Sequence, residues 1–305
     1  MMMQCVSFTL VLCSLCCSAA MGDEPIRHSF FIAGPTFTGL IGEDNKEVWN
    51  SNRPAARDGY VLPNGHVLIA WSDEVRELTL DHKTVFLYTK SADNNEIGTA
   101  QRLENGRTLI TELGKKPRLL EVDSDGTIAV DVPLLPETDN AHMQTRMARK
   151  LSTGNYLVPH LLAFKVKEYT RDGKVVREFP TDADDLGGRA AENWPFTAIR
   201  LENGHTLVNL THGNKTVEWD ADGKVVWKIS NDDFPDEQPF ADPCGAQRLA
   251  NGNTVIASYA SQKAIKVFEV TREKQIVWKY TGPHRAHEIQ ILTTNGKAID
   301  GVPLK

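Results

Sequence analysis

Residues 200–208 have the sequence Arg-Leu-Glu-Asn-Gly-His-Thr-Leu-Val. Two short runs of alternating apolar residues flank the Asn203-Gly204 pair, and this pattern predicts a β-hairpin with a tight turn. Versions of the phrase recur at residues 61–69, 102–110, 150–158, 248–256 and, in degraded form, 291–296. The turn glycines of successive copies are 41, 48, 50, 48 and 44 residues apart. A period in the forties with a hairpin in every unit predicts a repeat architecture, and a β-propeller is the one that fits.

Each complete repeat continues past its first hairpin with two more predicted strands. In the fourth repeat these are residues 215–220 and 224–227, joined by a turn at Asp222-Gly223. Four strands in a unit of this length are typical of a propeller blade. The predicted blades cover about residues 57–90, 98–133, 146–180, 196–230 and 244–280.

The two ends of the chain supply parts of a sixth blade. Residues 29–50 match the second, third and fourth strands of a blade, and residues 287–305 contain a first strand. We therefore predict a single all-β domain, residues 23–305, which is a six-bladed propeller closed by a composite blade of residues 29–50 and 287–305. Closure of the ring also removes exposed sheet edges.

Residues 1–22 contain no charged side chain, and the apolar stretch 8–17 is followed by small residues. This pattern predicts a secretory signal peptide and an exported protein, either periplasmic or extracellular. The positively charged start of such a leader is missing, so a misassigned start and a retained anchor remain alternatives. Four of the five cysteines lie in the leader, which leaves Cys244 alone and predicts no disulfide in the mature chain. No later stretch is long enough to span a membrane.

The formal net charge of the 305 residues is −6, with acidic and basic residues interspersed. A general nucleic-acid binder would need a basic surface, so this class is excluded. The charge favours solubility, and we expect a monomer.

Residues 220–227 have the sequence Asp-Ala-Asp-Gly-Lys-Val-Val-Trp, with echoes at 44–49 and 271–278. The phrase resembles quinoprotein-type, or pyrroloquinoline-quinone-like, β-propeller repeat proteins, and the resemblance covers roughly residues 29–300. It implies the fold and not the function. Quinone-using enzymes of that family have eight blades and a calcium-bound cofactor site. This chain is too short for eight blades, so we expect no quinone and no other cofactor, and we expect Trp49, Trp227 and Trp278 to pack between blades.

A weaker resemblance links the chain to six-bladed arylsulfotransferases. It rests on the blade number and on the Asn-Gly hairpins alone. By this analogy, a histidine at the channel mouth would act as the nucleophile.

The lengths of the loops predict which face of the propeller is functional. The Asn-Gly and Asp-Gly turns are short and share one end of each blade, whereas the connectors between blades are long and lie at the other end. Long loops on a rigid scaffold are where function concentrates. Alignment of the first strands predicts a ring at the channel mouth, formed by Arg57, Gly98, Arg146, Phe196, Cys244 and His287.

Two guanidinium groups and an imidazole in that ring would suit an anionic ligand. The candidate ligand-binding residues are Arg57, Arg146, His160, Asn193, Trp194, His212, His287 and Glu288. His142 and His287 are the candidate catalytic residues, because imidazole transfers protons near neutral pH. No metal is predicted, since His142, His160, His212 and His287 come from different blades without a metal-binding spacing.

Structural roles for the same residues remain open. Each arginine could pair with a neighbouring carboxylate, either Asp58 or Glu288. Trp194 could cover the edge of the core, and Cys244 could be a small buried residue.

Three functions fit these observations. The first is a binding protein for an anionic small molecule, a carbohydrate or a protein partner, without chemistry. The second is a sulfotransferase-, lyase- or hydrolase-like enzyme that acts on an anionic glycan or an aryl sulfate. The third is an envelope assembly scaffold, which would need an exposed apolar patch. The sequence contains no serine nucleophile elbow, Walker loop or dinucleotide fingerprint.

Overall fold

The computed structural model describes residues 24–260 and 265–305. Their strands form six antiparallel sheets in a ring, in which neighbouring sheets contact each other through their inner strands. This arrangement confirms the predicted six-bladed β-propeller. The predicted leader and its four cysteines lie outside the described residues.

Blades 1 to 5 are each continuous in sequence, and their strands follow one another from the channel outward. Blade 1 contains Asp58–Val61, Val67–Ala70, Glu74–Leu78 and Thr84–Thr89. Blade 2 contains Asn94–Arg102, Thr108–Gly114, Arg118–Val122 and Ile128–Pro133. Blade 3 contains Arg149–Lys150, Tyr156–His160, Lys165–Tyr169 and Val175–Pro180. Blade 4 contains Pro195–Arg200, Thr206–Leu210, Lys215–Trp219 and Val225–Ser230. Blade 5 contains Pro243–Arg248, Thr254–Ser258, Val267–Val270 and Ile276–Tyr280.

Blade 6 joins the two ends of the described chain, as predicted. Its strands run in the order Lys297–Ala298, Glu288–Thr294, His28–Ala33, Thr38–Ile41 and Glu47–Asn50. The junction is the antiparallel pairing of Phe31 with Gln290 and of Ala33 with Glu288. The ring is therefore closed by main-chain hydrogen bonds as well as by side-chain packing.

Helical structure among the described residues consists of single 3-10 turns in the connectors between blades. These turns are Ala141–Met143, Asp184–Leu186, Arg189–Ala191 and Asn231–Asp233. Within residues 24–260 and 265–305, no helix has the length and apolar character needed to cross a membrane.

The repeated Asn-Gly turn is stabilised by both of its central residues. Gly204 has a φ of 84°, and its N–H donates to the carbonyl of Leu201 at 2.9 Å. The side-chain oxygen of Asn203 accepts a hydrogen bond from the N–H of His205 at 3.0 Å. Glycine reaches this left-handed backbone conformation without the steric cost that a side chain would add, which explains why the Gly recurs in every copy.

A buried glutamate on the third strand ties each of blades 1 to 5 to the next blade. The glutamate binds a cationic side chain or an imidazole of the blade that follows. In blades 2 to 5, this side chain belongs to the first residue of the repeated phrase. The pairs are Glu77–Arg102, Glu121–Lys150, Glu168–Arg200, Glu218–Arg248 and Glu269–His28. We call these contacts the inter-blade latches. The same glutamates also bind the residue after the turn glycine of their own blade, for example His205 on Glu218 at 2.8 Å.

The three tryptophans predicted to pack between blades do so. The indole N–H of Trp49 donates to the carbonyl of Leu80 in blade 1, and that of Trp227 donates to the carbonyl of Arg272 in blade 5, both at 2.9 Å. Trp278 packs edge-on against Phe30 of blade 6, with ring centroids 5.5 Å apart. The blades thus form a rigid ring that positions the loops of the mouth.

Candidate functional site

A cavity of about 340 Å³ lies at the channel mouth, on the face of the long connectors. Five of the six ring positions predicted from the sequence line it, namely Arg57, Arg146, Phe196, Cys244 and His287. Connector and loop residues complete the wall, namely Pro35, Ala55, His142, Met143, Leu161, Trp194, Thr211, His212, Asp242 and Tyr259. The volume is at the small end of the range of about 300–1,000 Å³ that is common for small-molecule sites. We call this space the mouth cavity.

Two arginines of the mouth cavity share one carboxylate. Arg57 forms an ion pair with Glu96, and Nη1 of Arg146 lies 3.8 Å from the same carboxylate. The ring nitrogen Nδ1 of His142 lies 3.3 Å from it as well. Although burial by itself raises the pKa of Glu96, hydrogen bonds from His142 and Arg57 and the charges of both arginines lower it to about 2. Glu96 is therefore ionised, and two guanidinium charges face one negative charge.

Arg146 is the more buried of the two arginines, with 5% of its side chain exposed against 16% for Arg57. It donates Nη1 to the carbonyl of Thr145 at 2.7 Å and Nη2 to the carbonyl of His142. Burial, together with the nearby charge of Arg57, lowers the pKa of Arg146 to about 10. Arg146 thus stays charged at neutral pH while its hydrogen bonds go to neutral carbonyls. Nη1 of Arg57 is buried without a hydrogen-bond partner.

His287 contributes a neutral imidazole to the mouth cavity. Its Nδ1 lies 3.2 Å from the carbonyl of Ala56, and since a carbonyl only accepts, Nδ1 carries the proton. Burial lowers the pKa of His287 to about 3, and the charges of Arg146 and Arg57 act in the same direction. Nε2 is therefore an unprotonated acceptor.

Aromatic rings form much of the remaining wall. Tyr259 stacks on His287 with ring centroids 4.1 Å apart and planes at 14°, and Phe196 lies parallel to His287 at 6.3 Å. Trp194 stacks on His212 at 4.6 Å. Nε1 of Trp194 is buried without a hydrogen-bond partner. A ligand in this space would contact ring carbons on several sides and charge on the arginine side.

His212 stands at the acidic rim of the mouth cavity. Its ring nitrogens lie 3.1 Å from Glu192 and 3.5 Å from Asp242. About half of the His212 side chain is exposed, so these contacts are weak and accessible to solvent. His142 is also exposed, at 67% of its side chain.

Three of the predicted ligand-binding residues lie outside the mouth cavity. His160 is fully buried and bonds the hydroxyl of Tyr169 at 2.9 Å, and burial lowers its pKa to about 3. The amide of Asn193 donates to the carbonyls of Thr181 and Leu186, so it fixes the connector. Glu288 is the third residue outside the mouth cavity. Neighbouring side chains point to opposite sides of an extended chain, so Glu288 points into the channel whereas His287 lines the mouth.

The alternative that Arg57 and Arg146 pair with Asp58 or Glu288 is not what the structure shows. Asp58 instead binds Nη1 of Arg149 at 2.8 Å, and Glu288 lies 3.3 Å from Nζ of Lys305. These four side chains fill the channel below the mouth. Cys244 is buried, as the structural alternative expected, and burial raises the pKa of its thiol.

Two important residues were missed by the sequence analysis. Glu96 lies two positions before Gly98, at the start of a strand whose register shifts between Ile97 and Thr99. Tyr259 lies in the loop after the second strand of blade 5. Inspection of the acidic residues just before each ring position would have found Glu96.

A second cavity of about 440 Å³ lies at the outer part of blade 2, away from the channel. Its charged groups are already paired, with Lys116 on Asp93 at 2.6 Å and Arg118 on Asp131 at 2.7 Å. It therefore offers less to a charged ligand than the mouth cavity does. No group of three or more metal-binding side chains occurs among the described residues.

A family model described as Mal s 1 allergenic protein-like matches residues 33–234. The chain belongs to this family. The match covers blades 1 to 4 and part of blade 6, and includes Arg57, Glu96, Arg146 and Trp194 of the site. For this Mal s 1-like protein, the resemblance to quinoprotein-type propellers is supported at the level of the propeller fold, and beyond the fold it stays a prediction. No curated protein matches the chain.

Solved structures that resemble this Mal s 1-like protein share its fold at low sequence identity. A protein of unknown function from Bacteroides caccae is 20% identical, with a TM-score of 0.75, and the alignment covers 86% of this chain and 98% of that one. A streptogramin B lyase is 14% identical with a TM-score of 0.58, covering 86% and 85%. A catalytically inactive histidine-to-alanine variant of virginiamycin B lyase from Staphylococcus aureus, with quinupristin, is 15% identical with a TM-score of 0.58, covering 81% and 83%.

Proposed function

We propose that the protein binds a small organic anion in the mouth cavity, held by Arg57 and Arg146. The observation that carries the proposal is the pair of guanidinium groups that shares the single carboxylate of Glu96. A buried charge without a counter-charge is costly. A ligand carboxylate, sulfate or phosphate would supply the missing negative charge and bind tightly to guanidinium groups.

The wall of the cavity supports an anion that is attached to a ring. Trp194, Phe196 and Tyr259 present aromatic surface next to the arginines, and such surfaces bind flat aromatic or sugar rings. An aryl sulfate or a uronic acid has the required combination of charge and ring. The binding of a small molecule is favoured over an assembly scaffold for a further reason. A scaffold would need one continuous exposed apolar patch. The large exposed apolar side chains, such as Val48, Val176 and Val226, instead lie on the outer strands of different blades.

Fluorescence titration with 4-methylumbelliferyl sulfate tests this function. Arg57→Gln should weaken binding at least tenfold, since a charge-assisted hydrogen bond is worth about 1.5–3 kcal/mol. Glu96→Gln should strengthen binding, because it leaves both arginines without their internal carboxylate. The matched control is Lys116→Gln in the outer cavity of blade 2, which should leave binding unchanged. Changes of opposite sign at Arg57 and Glu96 cannot arise from general unfolding, and equal affinities in all variants would refute the proposal.

The second candidate is an enzyme at the same cavity, with His287 as a base. It is supported by the unprotonated Nε2 of His287, and by the lyase of the same fold in which a histidine-to-alanine variant is inactive. An efficient general base has a pKa near the working pH, and the pKa of His287, at about 3, is far below it. Binding is therefore the preferred function.

Turnover would separate the two functions. Anionic glycans, aryl sulfates and quinupristin should be incubated with the protein and with the His287→Asn and His142→Asn variants. Turnover that either substitution abolishes, while ligand affinity is retained, would establish the enzyme. Export of the protein stays a prediction, which N-terminal sequencing of the secreted protein would check.

A further inference from the structure

Four charged side chains are buried together in the channel below the mouth cavity. They are Asp58, Arg149, Glu288 and Lys305, and no more than 5% of any of these side chains is exposed. Arg149 binds both oxygens of Asp58, at 2.8 and 3.2 Å. Glu288 is further from Arg149, at 3.5 Å. Two carboxyl groups thus face the guanidinium group of Arg149 and the amino group of Lys305.

The ammonium group of Lys305 has a complete set of partners. Nζ lies 2.7 Å from the carbonyl of Gly59, 3.3 Å from Oε1 of Glu288 and 3.9 Å from Oδ1 of Asp58. It also lies 3.9 Å from the centroid of the Tyr60 ring, within the range of a cation–π contact. A carbonyl, two carboxylates and an aromatic face suit the three donors of a primary ammonium group. We call these four groups the ammonium cage.

The cage depends on its occupant. Oε2 of Glu288 is buried and has no hydrogen-bond partner even with Lys305 in place. Without Lys305, the remaining guanidinium of Arg149 would have to balance both carboxylates. Burying an unbalanced carboxylate is unfavourable, so an empty cage would attract another cation.

The segment that carries Lys305 is attached at a few points. The N–H of Ile299 donates to the carbonyl of Leu292, the N–H of Arg248 donates to the carbonyl of Leu304, and Nε of Arg149 donates to the main-chain oxygen of Lys305. Between these points, Val302 is 77% exposed. The other strands of blade 6 are paired independently of residues 299–305. Residues 299–305 therefore contribute no strand to any blade, although Ile299 and Leu304 pack against the core.

We propose that the channel below the mouth cavity contains a binding site for a primary ammonium group, which Lys305 fills from within the same chain. The ligand class is an alkylamine or the lysine side chain of a peptide. The site is formed by residues other than those of the mouth cavity, so it does not depend on the proposed anion binding.

Chemical rescue tests the site. Lys305→Ala removes three methylene groups and the ammonium group, and propylammonium replaces these atoms. We expect the variant to have a lower Tm than the wild type, and millimolar propylammonium to restore at least half of the loss by mass action. Propanol, which has the same size without the charge, should not restore it. The wild type should not respond, because Lys305 occupies the cage.

Two further variants make the result specific. Lys305→Ala combined with Glu288→Gln should lose the response to propylammonium, and the exposed Lys46→Ala should neither lower the Tm nor respond. A Gly-Val-Pro-Leu-Lys peptide that rescues at lower concentration than propylammonium would identify a lysine-bearing peptide as the occupant. Equal rescue would identify a free amine.

The proposal is overturned if Lys305→Ala has the Tm of the wild type, or if propanol rescues it as well as propylammonium does. If Lys305→Ala does not fold, its refolding yield from urea is measured with and without propylammonium. A recovered yield supports the cage, and an unchanged yield overturns it.

Discussion

Nε2 of His28 lies 2.8 Å from Oε2 of Glu269, and both side chains are only 1% exposed. This pair is the inter-blade latch between blade 5 and blade 6. The other four latches use arginine or lysine. The edge of Trp278 packs against the imidazole at 4.7 Å, so an aromatic ring fills space that a longer cationic side chain would need. The contact fixes the N-terminal strand at the junction that closes the ring.

His28→Ala should destabilise the protein more than the loss of an exposed ion pair would. The substitution leaves the buried carboxylate of Glu269 with the amides of Asn253 and Asn251 as its side-chain partners. Removal of one member of a buried pair costs about 3–5 kcal/mol, to be measured by urea unfolding. Combining it with Glu269→Gln should recover part of the loss. His66→Ala is the matched control, and an equal loss there would contradict the special role of His28.

The repeat phrase predicted the fold because hairpin signals are local. The contacts made by its first and sixth residues, such as Arg200 and His205, could not be predicted from the sequence. Arg200 binds Glu168 of blade 3, and His205 binds Glu218 of its own blade. The packing of blade 4 against blade 3 brings the first pair together, and strand pairing within blade 4 brings the second pair together. The first contact therefore spans two repeats. The phrase is therefore a latch between blades as well as a turn.

The register of the first strands was enough to predict part of the site. Counting back from each turn placed Arg57, Arg146 and His287 at one mouth because equivalent residues of equivalent strands share a height in the channel. The same count could not place Tyr259, because the loops after the second strands do not all have the same length. It also could not show that Lys305 enters the channel from the other end.

Gly204→Ala should lower the stability by about 1–2 kcal/mol, since Gly204 has a φ of 84° and a left-handed backbone is unfavourable for residues with a side chain. No atom lies within 4 Å of the added Cβ, so the loss would be due to the backbone alone. Gly204→Asn should lose less, because Asn tolerates this conformation. Equal stability of Gly204→Ala and the wild type, by urea unfolding, would show that the turn relaxes.

His287→Phe should make the stability less dependent on pH between 6.5 and 4.5. The pKa of His287 falls from 6.5 in the unfolded chain to about 3 in the folded protein, so the unfolded chain binds more protons in this window. Stability therefore falls as the pH falls, by at most about 1.4 kcal/mol per pH unit and less with solvent screening. His160 has the same shift and adds the same slope.

Urea unfolding at several pH values checks this expectation. The variant should keep the part of the slope that His160 contributes. Phenylalanine preserves the ring that stacks on Tyr259. Below pH 4.5, protonation of Glu96 should destabilise both proteins, because its pKa is lowered to about 2 and its contribution is lost between pH 4.5 and 2. An unchanged slope in His287→Phe would show that His287 is protonated in the folded protein.

Trp194 should report the occupation of the mouth cavity. It lines the cavity, whereas Trp227 packs between blades and bonds Arg272. An aryl sulfate at Arg57 and Arg146 would lie near the Trp194 indole and change its fluorescence. Trp194→Phe should therefore remove most of the change in tryptophan emission on titration, and Trp227→Phe should retain it. Because Phe keeps an aromatic face, the affinity should fall by no more than about tenfold, equivalent to roughly 1.4 kcal/mol. A full fluorescence change in Trp194→Phe would place the ligand elsewhere on the propeller.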